Sequence, residues 1–154
     1  MSLKNIFPFI RLAAGTLLAV SGSEKLFSHY QNFLYVIQSY QLFPSSLEYA
    51  AAVILPWVEF LIGLFLLLGL WLPVMLRLAG MLFLAFMIIV SQALIRGLPI
   101  DECGCFGELI FFPLWGVLLM DSVFLILIAL SIKNIDSAAT FSLDHYFSVH
   151  KSVK

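Results

Sequence analysis

Long apolar runs separated by short polar breaks make up most of this chain. A helix that crosses a hydrocarbon core of about 30 Å needs about 20 mostly apolar residues. Four runs meet that length: Ile6 to about Leu26, Tyr49 to Leu72, Leu76 to Ile95, and Pro113 to Ile132. Because backbone polar groups in lipid must be satisfied within the segment, each run predicts a transmembrane helix.

Prolines and small residues refine this pattern. Pro73 predicts a tight turn between the second and third spans, and Pro113 suits the first turn of the fourth, where its missing N–H costs nothing. Small residues recur along the spans, as close packing of helices in lipid requires; they are Ala13, Ala14, Gly15, Gly22, Gly63, Gly69, Ala79 and Gly80. The pattern therefore predicts an all-α fold, an antiparallel four-helix bundle in the membrane.

The segment from Ser28 to Glu48 has a different pattern, with apolar residues near helical spacing among polar neighbours. The apolar positions are Tyr30, Phe33, Leu34, Ile37 and Tyr40. This spacing predicts a short amphipathic helix that lies in the membrane interface. The alternative is a connecting loop with aromatic anchors.

Composition supports the membrane assignment. Hydrophobic residues make up 62% of the chain, charged residues 11%, and the mean hydropathy is +1.06, values outside the range of soluble domains. A net charge of −1 gives no basic face for nucleic acid.

The chain then divides into a four-helix domain over residues 1–133 and a polar tail over 134–154. A cleaved signal peptide is the alternative for the first run, but Arg11 interrupts that run and no clean cleavage site follows.

The distribution of lysine and arginine predicts the orientation. The face that holds both termini has five of them, Lys4, Arg77, Lys133, Lys151 and Lys154, and the opposite face has two, Lys25 and Arg96. Cytoplasmic loops carry the excess of positive charge, so the termini and the tail are expected in the cytoplasm and the amphipathic helix outside it. In a bacterial inner membrane the segment between the third and fourth spans would then face the periplasm.

That segment contains the only two cysteines, Cys103 and Cys105, separated by Gly104. Disulfides persist outside the cytoplasm. A ring closed over one residue adds little loop-closure stabilisation and is strained, which favours a reversible redox pair over a structural disulfide. Arg96 and Lys25 are candidates for lowering a thiolate pKa. The alternatives are an incidental structural disulfide and a clip for a soft metal such as copper(I), with His29 as a further ligand.

Three stretches of this sequence resemble the MauE/DoxX group of redox-associated membrane proteins. They are Gly22-x-x-Lys25, Leu55-Pro56-Trp57-Val58-Glu59, and Arg96-Gly97-Leu98-Pro99-Ile100-Asp101-Glu102-Cys103-Gly104-Cys105-Phe106-Gly107. The resemblance extends from about Arg11 to Ile132, and the cysteine motif, including Phe106 and Gly107, is its most specific part. Two departures are Glu102, directly before the first cysteine, and Met120, where relatives often carry a basic residue beside Asp121.

The resemblance implies a four-helix protein that assists maturation of a disulfide-rich periplasmic dehydrogenase of the methylamine type, beside a thioredoxin-like partner. It implies disulfide formation or electron transfer for exported proteins rather than metabolism of methylamine by this chain. A non-catalytic assembly or anchoring factor is the competing function. Whether the chain is an enzyme, as a thiol-disulfide oxidoreductase, is left open.

Charges inside the spans form a second group of candidate residues. At 1.5 Å per residue, Glu59 and Asp121 lie about 12 to 15 Å from the outer ends of their helices, and Arg11 about 5 Å deeper. An unpaired charge at mid-bilayer is costly, so Arg11 is expected to contact at least one acid. A structural ion pair and a proton or quinone site both fit this pattern. For a quinone, Gln92 and Trp57 are the candidate contacts.

Overall fold

The computed structural model describes residues 6–42, 44–98 and 113–135. These ranges form five helices: α1 (Ile6–Phe27), α2 (Tyr30–Ser39), α3 (Ser45–Leu68), α4 (Leu72–Ile95) and α5 (Leu114–Lys133). By length and composition α1, α3, α4 and α5 can each cross a membrane. The predicted all-α membrane bundle is confirmed, and α2 confirms a separate short helix between the first two spans.

The turn between the second and third spans lies earlier than the sequence predicted. α3 ends at Leu68, and Gly69 takes a left-handed conformation (φ 67°) that only glycine adopts without strain. The N–H of Leu70 then donates to the carbonyl of Phe65, which closes the helix end. Pro73 consequently lies in the first turn of α4, and Pro113 caps the N-terminus of α5 instead of entering its first turn.

The helices pack in two antiparallel pairs, α1 with α3 and α4 with α5. Glycines allow the first pair to approach closely. A Cβ built on Gly22 would lie 2.5 Å from the backbone nitrogen of Phe60, and one built on Gly63 would overlap the backbone of Ala19. In the second pair the rings of Phe83 and Phe124 stack with their centroids 5.4 Å apart. In the first pair, the glycines thus bring the backbones of α1 and α3 into contact.

Large apolar side chains cover much of the outside of the bundle, as expected for a surface in contact with lipid. Among those more than half exposed are Ile54, Trp57, Met81, Ile88, Trp115, Leu119 and Ile126. The interior holds the small and branched residues Ala14, Leu18, Leu66, Leu76, Ala79 and Ile128. Buried polar side chains are therefore exceptions that need a physical explanation.

We call the end of the bundle that carries α2 the α2 end. It includes the C-termini of α1 and α4 and the N-termini of α3 and α5, as the alternating direction of the spans requires. Residues 99–112, which carry both cysteines, connect α4 to α5 and so join the bundle at this end. The opposite end carries the turn from Gly69 to Trp71 and the C-terminus of α5.

Candidate functional site

A buried ion pair joins α1 to α3 beneath the α2 end. Nζ of Lys25 lies 2.8 Å from Oε1 and 2.7 Å from Oε2 of Glu59, and both side chains are almost fully buried. Ser21 completes the group: its hydroxyl donates to Oε2 of Glu59 at 2.9 Å and accepts from Lys25 at 3.1 Å. Both carboxylate oxygens are thus hydrogen-bonded, which offsets the cost of burying two charges.

Helix geometry explains why these three residues meet. Side chains on a helix tilt towards its N-terminus, so Lys25 extends back over Ser21, one turn earlier on α1. Gly22, between them, packs against the backbone of Phe60 and brings α3 close enough for Glu59 to face both groups. The sequence interpretation assigned Lys25 to the cysteines and did not predict this contact. The i, i+4 spacing of Ser21 and Lys25 was the signal that could have found it.

Two aromatic rings flank the same ammonium group. Nζ of Lys25 lies 4.8 Å from the ring centroid of Phe33 on α2 and 5.5 Å from that of Phe86 on α4. Both distances fall within the range of cation–π attraction. Lys25 therefore ties together four helices: α1 by its backbone, α3 by Glu59, and α2 and α4 by these rings.

A cavity of about 240 Å³ lies beside this ammonium, between α2 and the spans. Its lining is almost entirely apolar, and Lys25 is the sole charged side chain among the described residues that form it. The lining residues are Lys25, Phe33, Val36, Ile37, Tyr40, Leu42, Ala51, Leu55, Phe86, Ile89 and Val90. We call it the α2 cavity.

The other intramembrane charges are also buried. Arg11 is 2% exposed and Asp121 is 3% exposed, compared with 0% for Glu59. Arg11 precedes Ser21 by ten residues, about 15 Å along the axis of α1. The direct contact of Arg11 with either acid stays a prediction.

Arg96 and Gln92 act together at the end of α4. Nη1 of Arg96 lies 3.3 Å and 3.4 Å from the backbone carbonyl oxygens of Tyr40 and Gln41. With its amide oxygen turned towards the guanidinium, Gln92 accepts from Nε of Arg96 at 3.2 Å. Arg96 therefore holds the C-terminal end of α2 against α4, directly before the segment that contains the cysteines.

The structure separates the two residues that were proposed to contact a quinone. Trp57 is 54% exposed on the outer surface of α3 and does not line the α2 cavity. Gln92 borders a shallow groove with Met87, Ser91 and Arg96. The cysteine motif lies outside the described residues; this applies to Cys103, Gly104, Cys105, Phe106 and Gly107. Their predicted roles stay predictions.

These features define a four-span membrane protein with a short helix and a buried, ion-paired lysine at one end. The profile of the family described as methylamine utilisation protein MauE matches residues 3–133, and this chain belongs to that family. It is a multi-pass membrane protein of the methylamine-utilisation type. No curated protein and no solved structure matches the chain.

Proposed function

We propose that this protein is a membrane thiol/disulfide redox protein that supports maturation of exported proteins through Cys103 and Cys105. The observation that carries the proposal is the position of the cysteines in the chain. Both lie in residues 99–112, which join α4 to α5 at the α2 end, where Lys25, Arg96 and the α2 cavity also lie. Membership of the MauE family supports a role in maturation.

The exchange reaction needs both cysteines. A thiolate of one attacks a disulfide, forms a mixed disulfide with the partner and releases one partner thiolate; the second cysteine then attacks the mixed disulfide. The pair becomes a disulfide, and the partner leaves with both of its sulfurs reduced. In the reverse direction the pair oxidises a partner dithiol. The proposed partner is a thioredoxin-like extracytoplasmic protein. It would exchange disulfides in turn with an exported, disulfide-containing client.

The α2 end is proposed to face away from the cytoplasm of a bacterial inner membrane, with both termini inside. The lysine and arginine asymmetry supports this orientation.

The orientation predicts how the cysteines react with a reagent that cannot cross the membrane. After mild reduction, a charged maleimide added to intact spheroplasts should modify Cys103 and Cys105, because both thiols would face the outside. Mass spectrometry of the purified protein measures the number of modified thiols. Modification in inverted membrane vesicles but not in spheroplasts would contradict the orientation.

The redox proposal predicts that either serine substitution abolishes client maturation. Cys103→Ser and Cys105→Ser each leave one thiol, and the variant that keeps the attacking thiol can form a mixed disulfide but cannot resolve it. Non-reducing electrophoresis should show the trapped partner with one of the single variants and not with the double variant. Ser91→Ala, which removes a half-buried hydroxyl that donates to the backbone carbonyl of Met87 in the same helix, serves as the control for insertion and folding. Normal maturation in the double serine variant would support an assembly or anchoring function instead.

A further inference from the structure

The α2 cavity has features of a binding site rather than of ordinary packing. The α2 cavity is partly open at the surface of the bundle, so a ligand can enter it from outside. Water does not favour a space with few polar partners. A cavity of about 240 Å³ that combines an apolar lining with one buried ammonium is therefore suited to a flat, mainly apolar ligand with a hydrogen-bond acceptor.

We propose that the α2 cavity binds the ring of a membrane quinone, with the ammonium of Lys25 donating to one quinone carbonyl oxygen. Phe33 on α2 and Phe86 on α4 approach the ammonium from two helices, so a ring placed beside Lys25 contacts aromatic side chains. Leu55 and Val90 supply further apolar contacts. The isoprenoid tail would extend into lipid, since the cavity volume suits the ring alone.

A ligand can replace Ser21 as the acceptor of one of the three hydrogen bonds that the ammonium of Lys25 donates. Its contact with Ser21 is the longest of three, at 3.1 Å, compared with 2.7 and 2.8 Å to Glu59. Ser21 keeps its own bond to Glu59 when that contact is exchanged. A quinone oxygen can therefore accept from Lys25 while the ion pair stays intact, and the positive charge stabilises negative charge that develops on that oxygen during reduction.

This inference rests on the proposed redox function, in which the bound quinone oxidises the reduced cysteine pair. Oxidation of the Cys103 and Cys105 thiols breaks two S–H bonds, forms one S–S bond and releases two electrons and two protons. The quinone takes up both electrons and both protons, and it leaves as the quinol with two new O–H bonds. The pair is then ready to accept electrons from the next partner dithiol.

Equilibrium dialysis of the purified full-length protein in detergent tests the site, with a benzoquinone and a naphthoquinone that carry short alkyl chains as probes. Ala51→Phe fills the cavity from α3 and should weaken binding at least tenfold. Val53→Phe, on the lipid-exposed side of the same helix, is the matched control and should bind as the wild type does. Equal binding to both variants overturns the proposal.

Two further measurements locate the ring. The infrared carbonyl band of the bound quinone should shift to lower frequency, because a cationic donor weakens the C=O bond; an unshifted band contradicts the contact with Lys25. Trp57→Ala should leave binding unchanged, because Trp57 lies on the outer surface of α3 and does not line the cavity. A tenfold loss in that variant, with normal binding to Ala51→Phe, would place the quinone outside the α2 cavity and overturn the proposal.

The outcome for the cavity can be separated from that for the cysteines. The Cys103→Ser/Cys105→Ser double variant should bind the probes with unchanged affinity, because neither cysteine is needed to form the cavity. Binding by that variant, together with normal client maturation, contradicts the redox function and leaves the quinone site in place. Two outcomes contradict the quinone site alone and leave the redox function in place. In the first, maturation depends on the cysteines but the protein does not bind the probes. In the second, maturation depends on the cysteines but phospholipid fills the cavity and quinone does not displace it.

Discussion

Lys25→Met is expected to destabilise the protein by about 3 to 5 kcal/mol, the usual cost of leaving one member of a buried ion pair without its partner. Glu59 would keep a single hydrogen bond from Ser21 and would lose both contacts with the ammonium. Methionine preserves the length and apolar stem of lysine, so the loss reports the charge. Thermal unfolding of the purified protein in detergent measures it.

The double variant Lys25→Met/Glu59→Gln tests whether the two side chains act as a pair. It removes both charges and should be more stable than the sum of the two single losses predicts, by more than 1 kcal/mol, because neither charge is left uncompensated. Lys133→Met, an exposed lysine at the end of α5, is the matched control and should change little. Strictly additive losses from Lys25 and Glu59 would contradict direct pairing.

Gly63→Ala is expected to disrupt the packing of α1 on α3, with a loss of about 2 kcal/mol or more. The added Cβ would overlap backbone atoms of Ala19 and Gly15, and backbone cannot move aside as a flexible side chain can. Alanine is the better helix former by about 1 kcal/mol, so an observed loss reports the contact between the helices. The unfolding temperature in detergent measures the effect.

Gly80→Ala provides a matched control within the same bundle. A Cβ on Gly80 would meet only Cγ2 of Ile128, at 3.5 Å, which is an ordinary van der Waals distance. This substitution should leave stability unchanged or raise it by up to about 1 kcal/mol. If Gly63→Ala is tolerated as well as Gly80→Ala, close contact between α1 and α3 does not determine the position of Glu59.

The same contact links stability to the proposed chemistry. Gly22 and Gly63 bring the α1 and α3 backbones together, and that approach places Glu59 within reach of Lys25. Lys25 in turn contacts Phe33 and lines the α2 cavity. Variants that separate α1 from α3 should therefore reduce quinone binding as well as stability, whereas Gly80→Ala should affect neither.

The sequence by itself determined the membrane class, the four spans and the presence of a helix between the first two. Hydropathy over about 20 residues is a local property, and the rule that backbone groups in lipid bond within their own segment turns it directly into helices. The boundaries were less accurate: α3 begins at Ser45, four residues before the predicted start, since polar residues in its first turn do not contribute to an apolar run.

Only the tertiary structure decided which buried charges meet. The sequence showed that Arg11, Glu59 and Asp121 lie within spans and that each needs compensation. It did not specify how each helix is rotated about its own axis relative to its neighbours. A change in that rotation moves a side chain from the interior of the bundle to the lipid. The sequence interpretation placed Lys25 at the outer end of the first span, as a candidate for lowering a thiolate pKa. In the structure the tilt of its side chain towards Ser21 and the close approach of α3 at Gly22 bury it against Glu59. The α2 cavity likewise depends on how α2 folds back over α3 and α4, and contacts so distant in sequence leave no local pattern in the chain.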